Sequence, residues 1–239
     1  MPYVTGGLCD DWTQVVHAVV AAGADAVEVG VPFSDPVMDG PTIQEASIRA
    51  LDRGATPGSV LAELAGIDAG VPLVVMTYYN LAFRMGDLRF AHSLAAAGVA
   101  GAILPDLPLE ESAGWEAEAA EAGIETVLLA APVTPDDRLV AIAERSRGFV
   151  YGVSRMGVTG ERASVATSAA VMAKRLKAVT DKPVLIGFGI SSPDQAVEVC
   201  ADADGVVVAS ALLRAVLDGG GPEAAGRFVG GLRRGLDAG

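Results

Sequence analysis

Basic side chains are scarce in this chain: 17 Lys+Arg stand against 30 Asp+Glu, a formal net charge of -13. A field of that sign repels polyanions, and no basic stripe is present to neutralise phosphates, so nucleic acid is not an expected partner. Cysteine is rarer still. Cys9 and Cys200 lie far apart without CxxC spacing, which points to free thiols packed as small hydrophobes and away from a redox pair or zinc site. No apolar run is long enough to span a bilayer, and no basic segment precedes an apolar stretch at the start, so the chain reads as cytoplasmic and free of membrane. Lysine is confined to Lys174, Lys177 and Lys182. The first two fall in a helical pattern and the third precedes a strand, which leaves no amine for Schiff-base chemistry at the opposite end of that strand. His17 and His92 both sit in helical patterns, and no HxxH-type cluster exists, so no metal is expected. Gly6-Gly7, after the first strand, lacks the GxGxxG spacing of a dinucleotide turn, so no cofactor is expected. Acid–base chemistry by carboxylates is what these absences leave.

What is present has the rhythm of alternating strands and helices. Short β-branched runs occur at Pro2–Thr5, Ala26–Val29, Val71–Met76, Gly101–Leu104, Glu125–Leu129, Gly148–Val153, Pro183–Ile186 and Gly205–Val208. Helical stripes lie between them. Trp12, Val15, Val16, Val19 and Val20 follow the i, i+3, i+4, i+7, i+8 spacing, and Gly23 stops that helix. Thr134-Pro135-Asp136-Asp137 and Ser192-Pro193-Asp194 each offer an N-cap, a proline at the first helical position and acidic residues in the first turn. The chain has 239 residues, and a typical (β/α)8 barrel has roughly 250. With no linker or composition break, residues 1–239 are expected to form a single α/β domain, a (β/α)8 TIM barrel closed from parallel strands.

In such barrels the chemistry sits at the C-terminal ends of the strands. Glu28 stands near the end of the second strand between Val27 and Val29, and the pleat that turns the two valines toward the helices turns Glu28 inward. Burial disfavours the charged form and tunes a carboxyl for proton transfer near neutral pH. The same position also suits a Glu held in a buried hydrogen-bond network, and strand position alone does not separate the two. Gly187 and Gly189 follow strand seven, where backbone N–H groups can approach an anion. Ala209-Ser210 opens a short helix after strand eight whose N-terminus can face the same anion. Together they suggest a phosphate site, the alternative being two ordinary loop turns. Ser154 to Gly160, glycine-rich around Thr159, has the composition of a flap.

The loop after strand two is long and specific. Glu28-Val29-Gly30-Val31-Pro32-Phe33-Ser34-Asp35-Pro36 with Asp39-Gly40-Pro41-Thr42-Ile43-Gln44 closely resembles the signature of the tryptophan synthase alpha chain family. The resemblance continues through Tyr78 and Asn80, Pro105-Asp106-Leu107-Pro108, Tyr151, Arg155 to Gly160 and Gly187 to Ser191, and so covers essentially the whole chain. It implies retro-aldol cleavage of indole-3-glycerol phosphate to indole and glyceraldehyde 3-phosphate, with no metal or cofactor. By resemblance, Glu28 shuttles protons and Asp39 holds the indole N–H. Tyr151 positions Glu28, Tyr78 and Ile103 line the indole pocket, and Thr159 meets Asp39 when the flap closes. Gly160, Gly187, Gly189, Ala209 and Ser210 take the phosphate positions. Pro32 and Asp35 fall where the family meets a beta subunit that receives indole through a tunnel, which implies an alpha2beta2 heterotetramer serving tryptophan biosynthesis. A free-standing lyase that releases indole, and a non-catalytic allosteric partner of a beta subunit, are the competing expectations. Two departures stand out: the sequence begins almost directly at Pro2-Tyr3-Val4-Thr5, so that either its start is assigned too late or the barrel base does without the helix that the family carries before strand one, and Ala209 replaces the usual Gly, which places a methyl beside the phosphate.

Overall fold

The computed structural model describes residues 1–154, 163–187 and 189–239, with backbone alone for 163–167. Eight parallel strands run in sequence order: β1 (Tyr3–Thr5), β2 (Val27–Gly30), β3 (Leu73–Met76), β4 (Gly101–Ile103), β5 (Glu125–Ala130), β6 (Val150–Val153), β7 (Val184–Gly187) and β8 (Gly205–Val206). The sheet returns on itself through a parallel bridge between Pro2 and Val208, where Tyr3 N–H donates to Val208 O at 2.8 Å. This is the closed (β/α)8 barrel that the alternating pattern implies, with each expected run overlapping a strand and β2, β5 and β7 ending one residue later than expected. The helices are α1 (Trp12–Ala21), α2 (Pro41–Asp52), α3 (Pro57–Leu64), α4 (Tyr79–Met85), α5 (Asp87–Ala96), α6 (Ala113–Glu121), α7 (Asp136–Arg145), α8 (Ala163–Lys177), α9 (Pro193–Cys200), α10 (Ser210–Ala215) and α11 (Gly221–Ala238).

The alternation of side chains sets two separate layers. Val27, Val29, Leu73, Val75 and Ala102 point outward and pack under the helices with Trp12, Val16, Phe90 and Leu94. Val74, Ile103, Val127, Tyr151, Val153 and Val207 point inward and fill the barrel itself. Glu28 is paired in register with Tyr3 on one side and Val74 on the other. It therefore belongs to the inner layer, because residues at matched register on parallel strands share a face. The ring of helices closes where α11 lies against both α1 and α9. Glycine allows that approach: a Cβ at Gly226 would stand 3.3 Å from Ala18 O, and one at Gly235 only 2.8 Å from Pro193 Cβ.

Local signals held in one of the two proline-marked helix starts and shifted in the other. Ser192 caps α9 as its sequence implies, its side chain accepting from Gln195 N–H. Thr134 does not cap α7. The N-cap is Pro135, in extended backbone, and the Thr134 hydroxyl instead accepts the Ala131 N–H at 2.9 Å within the preceding loop. A hydroxyl bonded to a local backbone donor is lost to the helix, which starts one residue later. Cys9 and Cys200 are both free and half-buried. His17 and His92 lie on exposed helix positions, as expected.

Candidate active site

The mouth of the barrel is built around a buried carboxyl. Glu28 is 1% exposed, and neither oxygen has a hydrogen-bond partner among the described residues. Burial pushes its pKa from the ordinary 4.5 up to about 8, the Met1 ammonium opposing the rise and the Asp39 charge adding to it. Such a group is neutral near pH 7 yet close to ionising, which suits it to give and take a proton in one cycle. Among the described residues no hydrogen bond to either oxygen supports the buried-network alternative for Glu28.

Two phenols flank it by the same local geometry. Tyr3 sits beside Glu28 in register, and two residues beyond Glu28 is Gly30, where a Cβ would fall 1.8 Å from the Tyr3 hydroxyl. Tyr151 pairs with Leu185, and two residues beyond Leu185 is Gly187, where a Cβ would fall 2.2 Å from the Tyr151 hydroxyl. In both cases an inward glycine at a strand's end opens the space into which the neighbouring strand's phenol reaches. Both phenols are held protonated, first by burial; the Glu28 charge adds to the effect in each, and for Tyr3 the Asp39 charge adds more. Tyr151 was expected beside Glu28; Tyr3 was not, although its register follows from the inward alternation Tyr3, Thr5. The fully buried Thr5 hydroxyl, next to the Tyr3 phenol, completes this wall.

Asp39 enters from the loop between β2 and α2. It is half-buried, and burial raises its pKa while the Tyr78 hydroxyl draws it back. Tyr78 is buried at the end of the segment after β3. Its ring stacks on Phe33 at 5.0 Å between centroids and 29° between planes, and its hydroxyl accepts the Met38 N–H at 2.9 Å. Gln44 Nε2 donates to Asp39 O at 2.8 Å from the first turn of α2. Ile103 is fully buried in the inner cluster with Tyr151.

On the β7–β8 side, Gly187 is buried at the strand end and its carbonyl accepts from both N–H and Oγ of Ser154, at 3.2 and 2.9 Å. Gly189 has φ of 86°, a left-handed conformation that L side chains rarely adopt. Ser210 is the exposed first residue of α10, with half-buried Ala209 at the N-cap. Helix first-turn N–H groups lack intrahelical acceptors, so this end of α10 can receive an anion. Thr159 and Gly160, with Arg155 to Val158 of the expected flap, lie outside the described residues, as does Phe188. On the outer rim, Asp35 is exposed and accepts from Ser34 Oγ at 2.5 Å, whereas Pro32 is buried within this chain.

A closed (β/α)8 barrel with a buried carboxyl of raised pKa near the strand ends defines a catalytic barrel as its class. The family model described as tryptophan synthase alpha chain matches residues 1–225. A tryptophan synthase alpha chain from Streptomyces coelicolor is 48% identical over 219 residues, covering 91% of this chain and 79% of that one. One from Gloeobacter violaceus is 46% identical over 219 residues, covering 90% of this chain and 79% of the relative. The solved Mycobacterium tuberculosis tryptophan synthase superposes with a TM-score of 0.92 at 42% identity, covering 100% of this chain and 92% of that one. A structure of the tryptophan synthase a2b2 complex of Pyrococcus furiosus gives a TM-score of 0.90 at 37% identity, covering 98% and 96%. The chain belongs to the tryptophan synthase alpha chain family.

Proposed function

We propose that this chain is a carbon–carbon lyase that cleaves indole-3-glycerol phosphate to indole and glyceraldehyde 3-phosphate in tryptophan biosynthesis, and that residues 1–239 act as one barrel unit in the cytoplasm. The observation that carries the chemistry is Glu28, buried, unpartnered among the described residues and with its pKa raised to about 8. Glu28 takes the proton of the glyceryl hydroxyl adjacent to the ring. That carbon–oxygen bond becomes the aldehyde carbonyl as the carbon–carbon bond to the ring breaks. The electron pair passes into the indole, which has gained a proton at C3 from the same carboxyl, so the proton lost by the hydroxyl balances the one gained by the ring. Asp39 accepts the indole N–H and stabilises the positive charge that the protonated ring carries. Tyr151 holds Glu28, Tyr78 and Ile103 bound the indole pocket, and Thr159 closes on Asp39. The backbone at Gly160, Gly187, Gly189 and Ala209, with Ser210, takes the phosphate. Pro32 and Asp35 belong to the face that meets a beta subunit, which receives the indole within an alpha2beta2 assembly.

The test is product formation from indole-3-glycerol phosphate by the purified chain, alone and with a beta subunit. Slow release of both products alone, with a large increase on addition of the partner, is the expected result. Rapid turnover indifferent to a beta subunit would identify a free-standing lyase, and no turnover under either condition would leave only an allosteric partner.

A further inference from the structure

Helix α10 is only six residues long, too short for its own hydrogen bonds to hold its direction. Its N-cap, Ala209, has non-helical backbone and no side-chain cap bond, and the chain beyond it turns at Gly219 with φ of 87°. Leu212 and Leu213 bury one face of α10 in the same layer as Ala46 of α2. On the exposed side a single carboxylate joins the two helices. Glu45 Oε2 accepts from Arg214 Nη2 at 2.9 Å, and Glu45 Oε1 accepts from Arg49 Nη2 at 2.7 Å. Arg49 reaches on through Nη1 to Leu217 O at 3.1 Å, just past the end of α10, and Arg214 also meets Thr42 Oγ1 at 3.4 Å. Within its own segment Arg214 has a more distant partner, Asp218, at 3.8 Å. Helix α2 thus holds α10 at one point inside it and at another beyond its end. The residue before Glu45 is Gln44, whose Nε2 donates to Asp39 O at 2.8 Å. Adjacent residues of α2 therefore grip the Asp39 loop and α10.

We propose that Glu45 is a positioning residue that couples the two halves of the substrate site: with Arg49 and Arg214 it ties α10 to α2, so that occupation of the phosphate edge and occupation of the Asp39 side favour one another. The proposal rests on the reading of Ser210 as a phosphate contact and of Asp39 as the acceptor of the indole N–H. A ligand held at the start of α10 orders that helix, and the tie passes the ordering to the helix whose Gln44 fixes Asp39. The second ligand then meets a site that is already ordered, and the same holds with the ligands exchanged, because coupling between two sites is reciprocal. A clip that served stability alone would leave the two affinities independent.

The probes are indole and sn-glycerol 3-phosphate, separate pieces that stand for the two halves of the proposed substrate. Calorimetry measures each ligand alone, and indole again in saturating glycerol phosphate, on the parent chain, Glu45→Ala and Arg214→Met. Both substituted side chains are partly exposed, so the variants are expected to fold. In the parent, glycerol phosphate is expected to tighten indole binding by about threefold to fivefold, the upper end of what an exposed ion pair supplies. Either substitution is expected to abolish that enhancement while leaving the affinity for each ligand alone unchanged. A parent that binds both ligands without coupling, a coupling that survives in either variant, or a variant that no longer binds one of the ligands by itself would overturn the proposal. Failure of the parent to bind indole or glycerol phosphate would instead overturn the functional reading on which it rests.

Discussion

Glu28 combines full burial with the absence of a hydrogen-bond partner among the described residues, and each has a thermodynamic consequence. Its pKa in the folded chain is raised from 4.5 to about 8. Between those values the native chain binds a proton that the unfolded chain has released, so stability falls as pH rises through that window. Glu28→Gln removes the titration without changing shape. The variant is therefore expected to match the parent near the acid end of the window and to exceed it above pH 8 by a margin on the order of a few kcal/mol. Urea midpoints of both proteins at about pH 5 and about pH 9 check this; equal shifts at the two pH values would contradict it. An inward carboxyl was legible in Val27-Glu28-Val29, because a strand's alternation fixes its face. Its neighbours were less legible. Which phenol reaches Glu28 depends on the register between strands far apart in sequence, and that is why Tyr151 came only by resemblance and Tyr3 not at all.

Elements are placed by short signals whose strength depends on competing bonds nearby. Ser192 caps α9 through Gln195 N–H, and Ser192→Ala should cost about 1 kcal/mol of stability. Thr134 accepts the Ala131 N–H and not a helix donor, so Thr134→Ala is expected to act on the β5–α7 loop and leave the start of α7 in place. Thermal unfolding with amide exchange at the first turns of α7 and α9 separates the two outcomes. Gly30 is a stricter case. An added Cβ would fall 1.8 Å from the buried Tyr3 hydroxyl, so Gly30→Ala forces the phenol out of its place and should destabilise the fold by about 1–3 kcal/mol. A denaturant midpoint unchanged from the parent would mean that Tyr3 has another position available. Strand and helix order were readable from period alone, whereas cap use was not, because two identical-looking Pro-marked starts differ in where their hydroxyls bond.

For the whole molecule, barrel closure brings β1 and β8 together and so places the Glu28 wall and the β7–β8 glycine edge around one mouth. The chain's charge of -13 keeps that mouth in an acidic body, so the proposed phosphate site relies on local backbone donors and not on any general positive field. The rim between β2 and α2 exposes Val37 at 81% beside the exposed Asp35. Contact with a beta subunit there predicts that Val37→Asp lowers activation by the partner while the basal rate of the free chain stays the same; titration of the rate with beta subunit checks it. The candidate phosphate edge was legible in part: Gly187, Gly189 and Ser210 carry recognisable turn and helix-start signals, but their place on neighbouring strand ends depends on a closed barrel that no local stretch encodes.

The most direct test of the account is the rate of indole formation from indole-3-glycerol phosphate by Glu28→Gln in the complex with a beta subunit, together with the affinity of the variant for 3-(indol-3-yl)propyl phosphate. The account requires a loss of at least about 10²-fold in turnover, the lower end of what a general acid–base supplies, with ligand affinity retained. Turnover at the parent rate in Glu28→Gln would contradict it.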